Sequence, residues 1–369
     1  MKKNIFKTGG ISLFLVLAGI FASAVPLSCN LTEEGIEIVE GDTVSPTLEK
    51  YNFENRSLIN LEFSEGVNVD EVSFVEAEAK SIHAIKEVSY NDEKTNVKIH
   101  FENPTEIGTK YELSGTISDS KGNSSTFSIP FTGFNDNPAF LLLSEVRSES
   151  STSNKEISKA EFVEFVVLKS GNTAGLELFW GSNEEASYVF PKIDVKRGDY
   201  ITVHLRTETS SKCVDELEDD LTLSVKVSER TSASNDEARD LWKNSTESVL
   251  SKSDVLLLKD EGRNKIIDAV LFSETGKENW YYKGAKSYSE KAFSCGVWKN
   301  GFLPEMASSS DNLSTVRTLC RFNLDLIFEE YSETLITDET VISSSKDDWF
   351  VVEEATPGSK NKNVKYVKE

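Results

Sequence analysis

Histidine is nearly missing from this chain of 369 residues, which has only His83, His100 and His204. Because histidine is the commonest acid–base residue and metal ligand, its scarcity removes the usual material for a catalytic triad or a zinc site. The three also fall in two different expected domains and do not belong to one constellation. His100 and His204 occupy the polar phase of strands and His83 follows Ser81-Ile82 in an unpatterned stretch, so all three are expected to face solvent. Cysteine is as sparse. None of Cys29, Cys213, Cys295 and Cys320 has Cys-x-x-Cys spacing, so zinc and dithiol redox sites have no support. His-Glu-x-x-His, Gly-x-Ser-x-Gly, a phosphate-binding Gly-rich loop and EF-hand spacing are likewise lacking. No metal and no cofactor is expected. Positive charge is short, with 40 Lys and Arg against 62 Asp and Glu, a net charge of −22. Three of those positive charges, Lys2, Lys3 and Lys7, lie in the first 28 residues, so the remainder carries about −25. Such a field repels phosphate backbones and anionic head groups, and nucleic acid is not an expected partner. The acids are spread along the chain and read as a soluble, self-repelling surface.

What is present begins with a leader. Met1 to Lys7 supplies a positive start, and Ile11 to Ala24 is apolar but too short for the roughly 20 residues of a spanning helix. Residues 1–28 are therefore expected to be an export signal. Val25-Pro26-Leu27-Ser28-Cys29 resembles the relaxed cleavage box of spirochaete lipoproteins, with Pro26 where stricter bacterial signals have Leu. That resemblance implies a diacylglyceryl group on Cys29 and a protein anchored to the cell-envelope membrane, on its periplasmic or surface face. A competing small-x-small site at Ala22-Ser23-Ala24 would instead release a soluble chain beginning at Val25. Export permits disulfides. With Cys29 committed to lipid, Cys295 and Cys320 are the pair closer in sequence, and a bridge between them is expected.

Residues 29–43 are acidic and turn-rich and read as a solvated tether. Short alternating patterns follow. Leu58 to Phe63 puts Ile59, Leu61 and Phe63 on one face, and Val97 to Phe101 does the same with Val97, Ile99 and Phe101. Tyr111–Ile117 and Ser125–Ile129 flank a turn over Asp119-Ser120-Lys121-Gly122-Asn123. Several short strands with polar turns argue for a β-sandwich. The order across residues 44–134 also resembles bacterial immunoglobulin-like modules.

Asn135-Asp136-Asn137-Pro138 reads as a linker, after which an apolar strand opens at Ala139. Glu145-Val146, then Glu161-Phe162-Val163-Glu164-Phe165, and finally Trp349 with Ala355-Thr356-Pro357-Gly358-Ser359-Lys360-Asn361 form a series. Over residues 138–363 this series resembles a lamin-tail domain, which implies a second immunoglobulin-type sandwich. Tyr200 to Arg206 fits independently, with Ile201, Val203 and Leu205 inward and Thr202, His204 and Arg206 outward. The expected fold class is all-β: two tandem immunoglobulin-like antiparallel β-sandwiches, with a short helical insertion in the second. Two insertions, residues 207–254 and 280–340, set it apart from the family. The first carries Asp215, Glu216, Glu218, Asp219 and Asp220 and an expected helix capped by Asn235, with Ala238, Leu241, Trp242 and Val249 as its apolar face.

Glu164 and Asp268, inside apolar strands, are expected on the outer face of the sheets, because an unpartnered buried carboxylate is costly. Trp280, Tyr281, Tyr282 and Tyr288 are a candidate binding platform for a protein or glycan. The sequence thus points to a non-catalytic, membrane-anchored envelope lipoprotein acting in adhesion, scaffolding or ligand binding through sandwich loops. The alternative is an envelope hydrolase or metal-dependent enzyme, with a site in residues 213–244 built on Asp215 with Glu218 or Asp219.

Overall fold

The computed structural model describes residues 29–32, 35–38, 44–150, 160–206, 213–224, 233–243, 245, 247–362 and 364–368. Residues 1–28 and the side chain of Cys29, on which the lipidation reading rests, lie outside the described residues. Within the segment expected to be a tether, β1 (Cys29–Thr32) and β2 (Gly35–Ile38) pair as an antiparallel hairpin.

The chain folds as β-sandwiches. The first uses β3 (Leu48–Asn55), β4 (Leu58–Phe63), β5 (Asn68–Glu76) and β6 (Ile82–His83), followed by β7 (Ile85–Tyr90), β8 (Asn96–Phe101), β9 (Lys110–Ser118) and β10 (Ser124–Thr132). Two four-stranded antiparallel sheets, ordered β3-β4-β8-β7 and β10-β9-β5-β6, face each other. Ile59, Leu61 and Phe63 meet Val97, Ile99 and Phe101 in the core as the alternation predicts. Phe74 stacks on Phe101 at 4.2 Å beside Tyr111 and Phe131. Asp119 closes the β9–β10 turn by accepting from the backbone N–H of Lys121 and Asn123 at 2.8 and 2.9 Å. The linker is docked on the second sandwich: buried Asn135 donates to the carbonyls of Asn172 and Ala174 at 2.9 and 3.0 Å.

The second sandwich begins with β11 (Phe140–Arg147), β12 (Phe162–Lys169), β13 (Gly171–Asn172), β14 (Leu176–Trp180) and β15 (Ser187–Val189). It continues through β16 (Asp194–Val195), β17 (Tyr200–His204), β18 (Arg239–Trp242), β19 (Asp254–Asp260) and β20 (Lys265–Ser273). Then come helix α1 (Lys283–Ser294), β21 (Ser308–Ser309), β22 (Leu319–Arg321), helix α2 (Leu324–Glu330) and β23 (Trp349–Val351). A six-stranded sheet, β18-β17-β12-β11-β22-β23, packs on a five-stranded one, β15-β14-β19-β20-β21. Leu141, Leu143, Phe165, Val203, Leu256 and Val270 are among the fully enclosed core residues.

Both sheets are covered on their outer faces as well. Helix α1 packs on β14, β19 and β20 and sends Ala285, Tyr288 and Ala292 into the core. The outer face of the six-stranded sheet is overlaid by residues 213–224, by Asn235 and by the segment 355–361. Strands buried on both faces run apolar almost continuously, as β11 and β12 do. That double burial overturns the expectation that the polar phase of these strands meets solvent. Thr202, His204 and Glu164 are each at most 1 % exposed, and Asp268, fully buried, points between the sheets instead.

Among the described residues the helix expected near Asn235 does not form. Residues 239–242 form β18, which pairs parallel with β17. Asn235 accepts from the N–H of Glu237 at 3.0 Å in a local turn rather than capping a helix. Helices occur instead in the second excursion, as α1 and α2.

Candidate functional site

The buried polar residues concentrate on the covered face of the six-stranded sheet. Strand register places Cys320, Glu145, Glu164, Thr202 and Asp240 in one row across β22, β11, β12, β17 and β18. A parallel row holds Arg147, Phe162, His204 and Trp242. The guanidinium of Arg147 lies 4.6 Å from the Phe162 ring centroid, and His204 stacks on Trp242 at 3.9 Å. Nε2 of His204 is 2.6 Å from Oδ1 of Asp240, so this histidine is a buried, paired residue and not the solvent-facing one its phase suggested.

Over the acid row lies the Ala355–Asn361 motif. The N–H of Thr356 donates to both carboxylate oxygens of Glu145 at 3.1 Å, and the Thr318 hydroxyl donates to Oε1 of the same group. The N–H of Gly358 donates to Oε2 of Glu164 at 2.6 Å. Gly358 has a φ of +74°, and a Cβ there would stand 2.5 Å from Cβ of Asn235, so only glycine fits. The Asn361 amide donates to the carbonyls of Ser144 and Arg321 at 3.0 and 3.1 Å, where β11 is irregular. Burial raises the pKa of Glu145, and burial reinforced by Glu145 pushes Glu164 far above the usual carboxylate range. Oε1 of the Glu164 carboxyl has no hydrogen-bond partner.

Asp268 is likewise enclosed, correcting its expected outer position. It reaches from β20 to the opposite sheet, where Nη1 of Arg321 and the N–H of Leu143 both donate to Oδ2 at 2.8 Å. Burial raises its pKa and the Arg321 charge opposes that rise.

The acids of the first insertion serve the sheet edge. Strand β18 ends the six-stranded sheet, and its outward N–H groups find side-chain acceptors: that of Asp240 donates to Oε2 of Glu216 at 2.7 Å and that of Trp242 to Oδ1 of Asp215 at 2.6 Å. Oε1 of Glu216 accepts from the N–H of Ser224 at 3.0 Å. These carboxylates supply what a further strand would, and they close an edge open to association. Glu218 and Asp219 are exposed. Among the described residues no group of three or more His, Cys, Asp or Glu takes metal-ligating geometry.

The expected aromatic platform does not assemble. Tyr288 is buried on the inner face of α1, and Trp280 is half-buried with its indole N–H on the carbonyl of Phe302 at 2.8 Å. Tyr281 is exposed and meets the half-buried Tyr282 edge-on at 4.8 Å. The expected Cys295–Cys320 bridge is not formed. Cys295 is exposed at the C-cap of α1, whereas Cys320 is buried in the middle of a sheet, where burial pushes its thiol pKa up. His83 is partly buried against the rings of Phe74 and Tyr111.

Sequence reasoning missed a cleft of about 720 Å³ at one end of the second sandwich, between the end of β11, the turn after Trp180, and Lys243, Ser245 and residues 247–252. Its floor includes Glu161, 1 % exposed, whose carboxylate accepts from the N–H of Val249 at 2.8 Å. Burial raises the Glu161 pKa to about 7. Tyr282 lines one wall, the only member of the expected platform to do so. The signal available in sequence was the serine-rich stretch from Ser245 to Ser253.

Fold and site define a class: tandem β-sandwiches whose second member buries a polar face under its own C-terminal segment. The chain belongs to the family described as TP_1001_2nd, protein second domain, whose model matches residues 139–351. It is similar to an uncharacterized protein of Treponema pallidum (strain Nichols), 29 % identical over 209 residues, which are 54 % of this chain and 50 % of that protein. The match thus spans about half the length of that relative. Among solved structures, the N-terminal part of the bacterial S-layer protein SbsC aligns over 62 % of this chain and 43 % of its own, at 12 % identity and a TM-score of 0.25. A longer form, rSbsC(31-844), aligns over 62 % and 41 % at 12 % identity and a TM-score of 0.23.

Proposed function

We propose that this chain is an exported lipoprotein, anchored through Cys29 to the cell-envelope membrane, which works without catalysis in adhesion, scaffolding or ligand binding through the loops of its sandwiches. The second sandwich is read as lamin-tail-like on the strength of the Ala355–Asn361 motif. Partners of this reading are the membrane through the lipid and a protein or glycan at the loops; nucleic acid is not among them.

The observation that carries the non-catalytic reading is the use made of the carboxylates. Asp215 and Glu216, the acids best placed for hydrolysis in the first insertion, are occupied by backbone N–H groups of β18. Glu145, Glu164 and Asp268 are sealed from solvent. A general acid or base must reach the proton it transfers, and these groups have no open side. The loops, by contrast, are carried on a core buried on four sheet faces, a rigid base of the kind on which binding loops sit.

The test is a hydrolase screen of the purified mature chain with and without chelator, alongside Asp215→Asn and Asp219→Asn. No turnover above the variants is expected. Turnover lost in both variants would establish the alternative, an envelope hydrolase or metal-dependent enzyme built on residues 213–244.

A further inference from the structure

The cleft beside Glu161 has a lining of unusual chemistry for a cavity of its size. Ligand sites commonly occupy about 300–1,000 Å³ and are mostly apolar. This one, at about 720 Å³, has Ser148, Ser150, Ser182, Ser248, Ser251 and Asn183 in its lining; the Ser182 hydroxyl already donates to the carbonyl of Val249 at 2.8 Å and those of Ser150 and Ser248 bond each other at 3.2 Å. Such groups donate and accept in equal measure, as the hydroxyls of a ligand do. The rim carries the Glu247 carboxylate and two lysines, both of them engaged. Lys252 lies 3.8 Å from Glu149, and the Lys243 ammonium sits over the Trp180 ring at 5.4 Å. One group in the wall is left unsatisfied: Ser148 is only 4 % exposed, yet its Oγ has no hydrogen-bond partner. A buried hydroxyl without a partner is costly unless something arrives to bond it.

From this lining we infer that the cleft binds a neutral, hydroxyl-rich ligand, a short saccharide chain, with Ser148 and the neighbouring hydroxyls bonding it and Tyr282 stacking on a sugar face. The inference rests on the binding-protein reading above and gives it a ligand class. Tyr282 lies in the wall, and Tyr281 beside it stands edge-on at 4.8 Å and is 87 % exposed. Glu161, held near neutral pH between its two protonation states, can either donate to or accept from a ligand hydroxyl. Among the described lining residues an anionic ligand would find no uncommitted ammonium group, and an apolar one would leave the Ser148 hydroxyl unpaired.

The experiment is isothermal titration of the full mature chain with maltotriose, cellotriose and chitotriose, and with a heparin hexasaccharide as the acidic comparison. Saturable binding of at least one neutral trisaccharide is expected, with the heparin fragment weaker. Tyr282→Ala should weaken that binding about tenfold, the scale of one lost aromatic contact. Ser148→Ala, which leaves the fold's volume almost unchanged, should weaken it several-fold, whereas Lys252→Gln should leave it intact. Glu161→Gln should retain binding and flatten its pH dependence between about 6 and 8. Absence of any neutral saccharide binding, preference for the heparin fragment, or affinity unchanged in both Tyr282→Ala and Ser148→Ala would each overturn the inference. Saturable capture of the chain by an immobilised matrix protein, with no saccharide bound, would overturn it while leaving the binding-protein reading in place.

Discussion

At the residue scale, the second sandwich is dominated by carboxyls that have left water. Glu164 is raised far above its ordinary pKa by burial and by Glu145, Glu161 is raised to about 7 by burial, and Asp254 to about 6 by burial. A carboxyl with a raised folded pKa contributes its full stability below the unfolded value, about 4.3 for Glu, and loses it as pH rises through the folded value. Urea denaturation should therefore show stability falling from about pH 4 toward about pH 7 as Asp254 and Glu161 ionise, and Glu164→Gln should lose less of its stability than the parent as pH rises. Parallel curves for the two proteins would contradict this account of Glu164. Asp268 and Arg321 make the opposite case, a buried pair whose value lies in both members being present. Arg321→Met alone should cost about 3–5 kcal/mol in the same measurement, and Asp268→Leu added to it should recover much of that loss. The Phe-Val-Glu strand marked Glu164 as unusual from its residues alone. Its burial was illegible, because that depends on a segment nearly two hundred residues further on, where Gly358 supplies the N–H that Glu164 accepts.

At the element scale, the strands of the first sandwich were legible, since one apolar face and one wet face print a period of two: Ile59, Leu61 and Phe63 lie inside while Glu62 between them is exposed. Strand β18 was not. Ala238, Leu241 and Trp242 have helical spacing, but only four residues form the element, and pairing with β17 outweighs so short a local preference. Asp240 and Trp242 point to the covered face and Leu241 to the core, which is strand alternation concealed by burial on both sides. The acid cluster before it is the counterpart of that edge. Glu216→Ala would leave the N–H groups of Asp240 and Ser224 without acceptors, and an equilibrium denaturation loss of about 1–3 kcal/mol for each buried donor left unmade is expected. Light scattering should also show more self-association, because the freed edge of β18 can pair with another chain. A variant as stable and as monodisperse as the parent would show that these carboxylates are incidental to the edge.

At the scale of the whole molecule, the chain places two sandwiches in series, joined by a linker that Asn135 ties to the second. Among the described residues no helix is long and apolar enough to cross a membrane. In the proposed account the membrane is held instead by lipid on Cys29, with the acid-rich surface repelled from anionic head groups and the loops left free to bind. All-β architecture was legible from repeated short strands and polar turns. The covering of the outer faces by α1 and the Ala355–Asn361 segment was not, because no local pattern announces what a distant segment will cover. The anchoring claim is tested most directly by intact mass and palmitate labelling of the protein expressed from its full chain, beside Cys29→Ser. The account predicts a mature N-terminus at Cys29 with acyl mass added, label in the membrane fraction, and loss of both in Cys29→Ser. An unmodified N-terminus at Val25, with the protein in the soluble fraction, would contradict it.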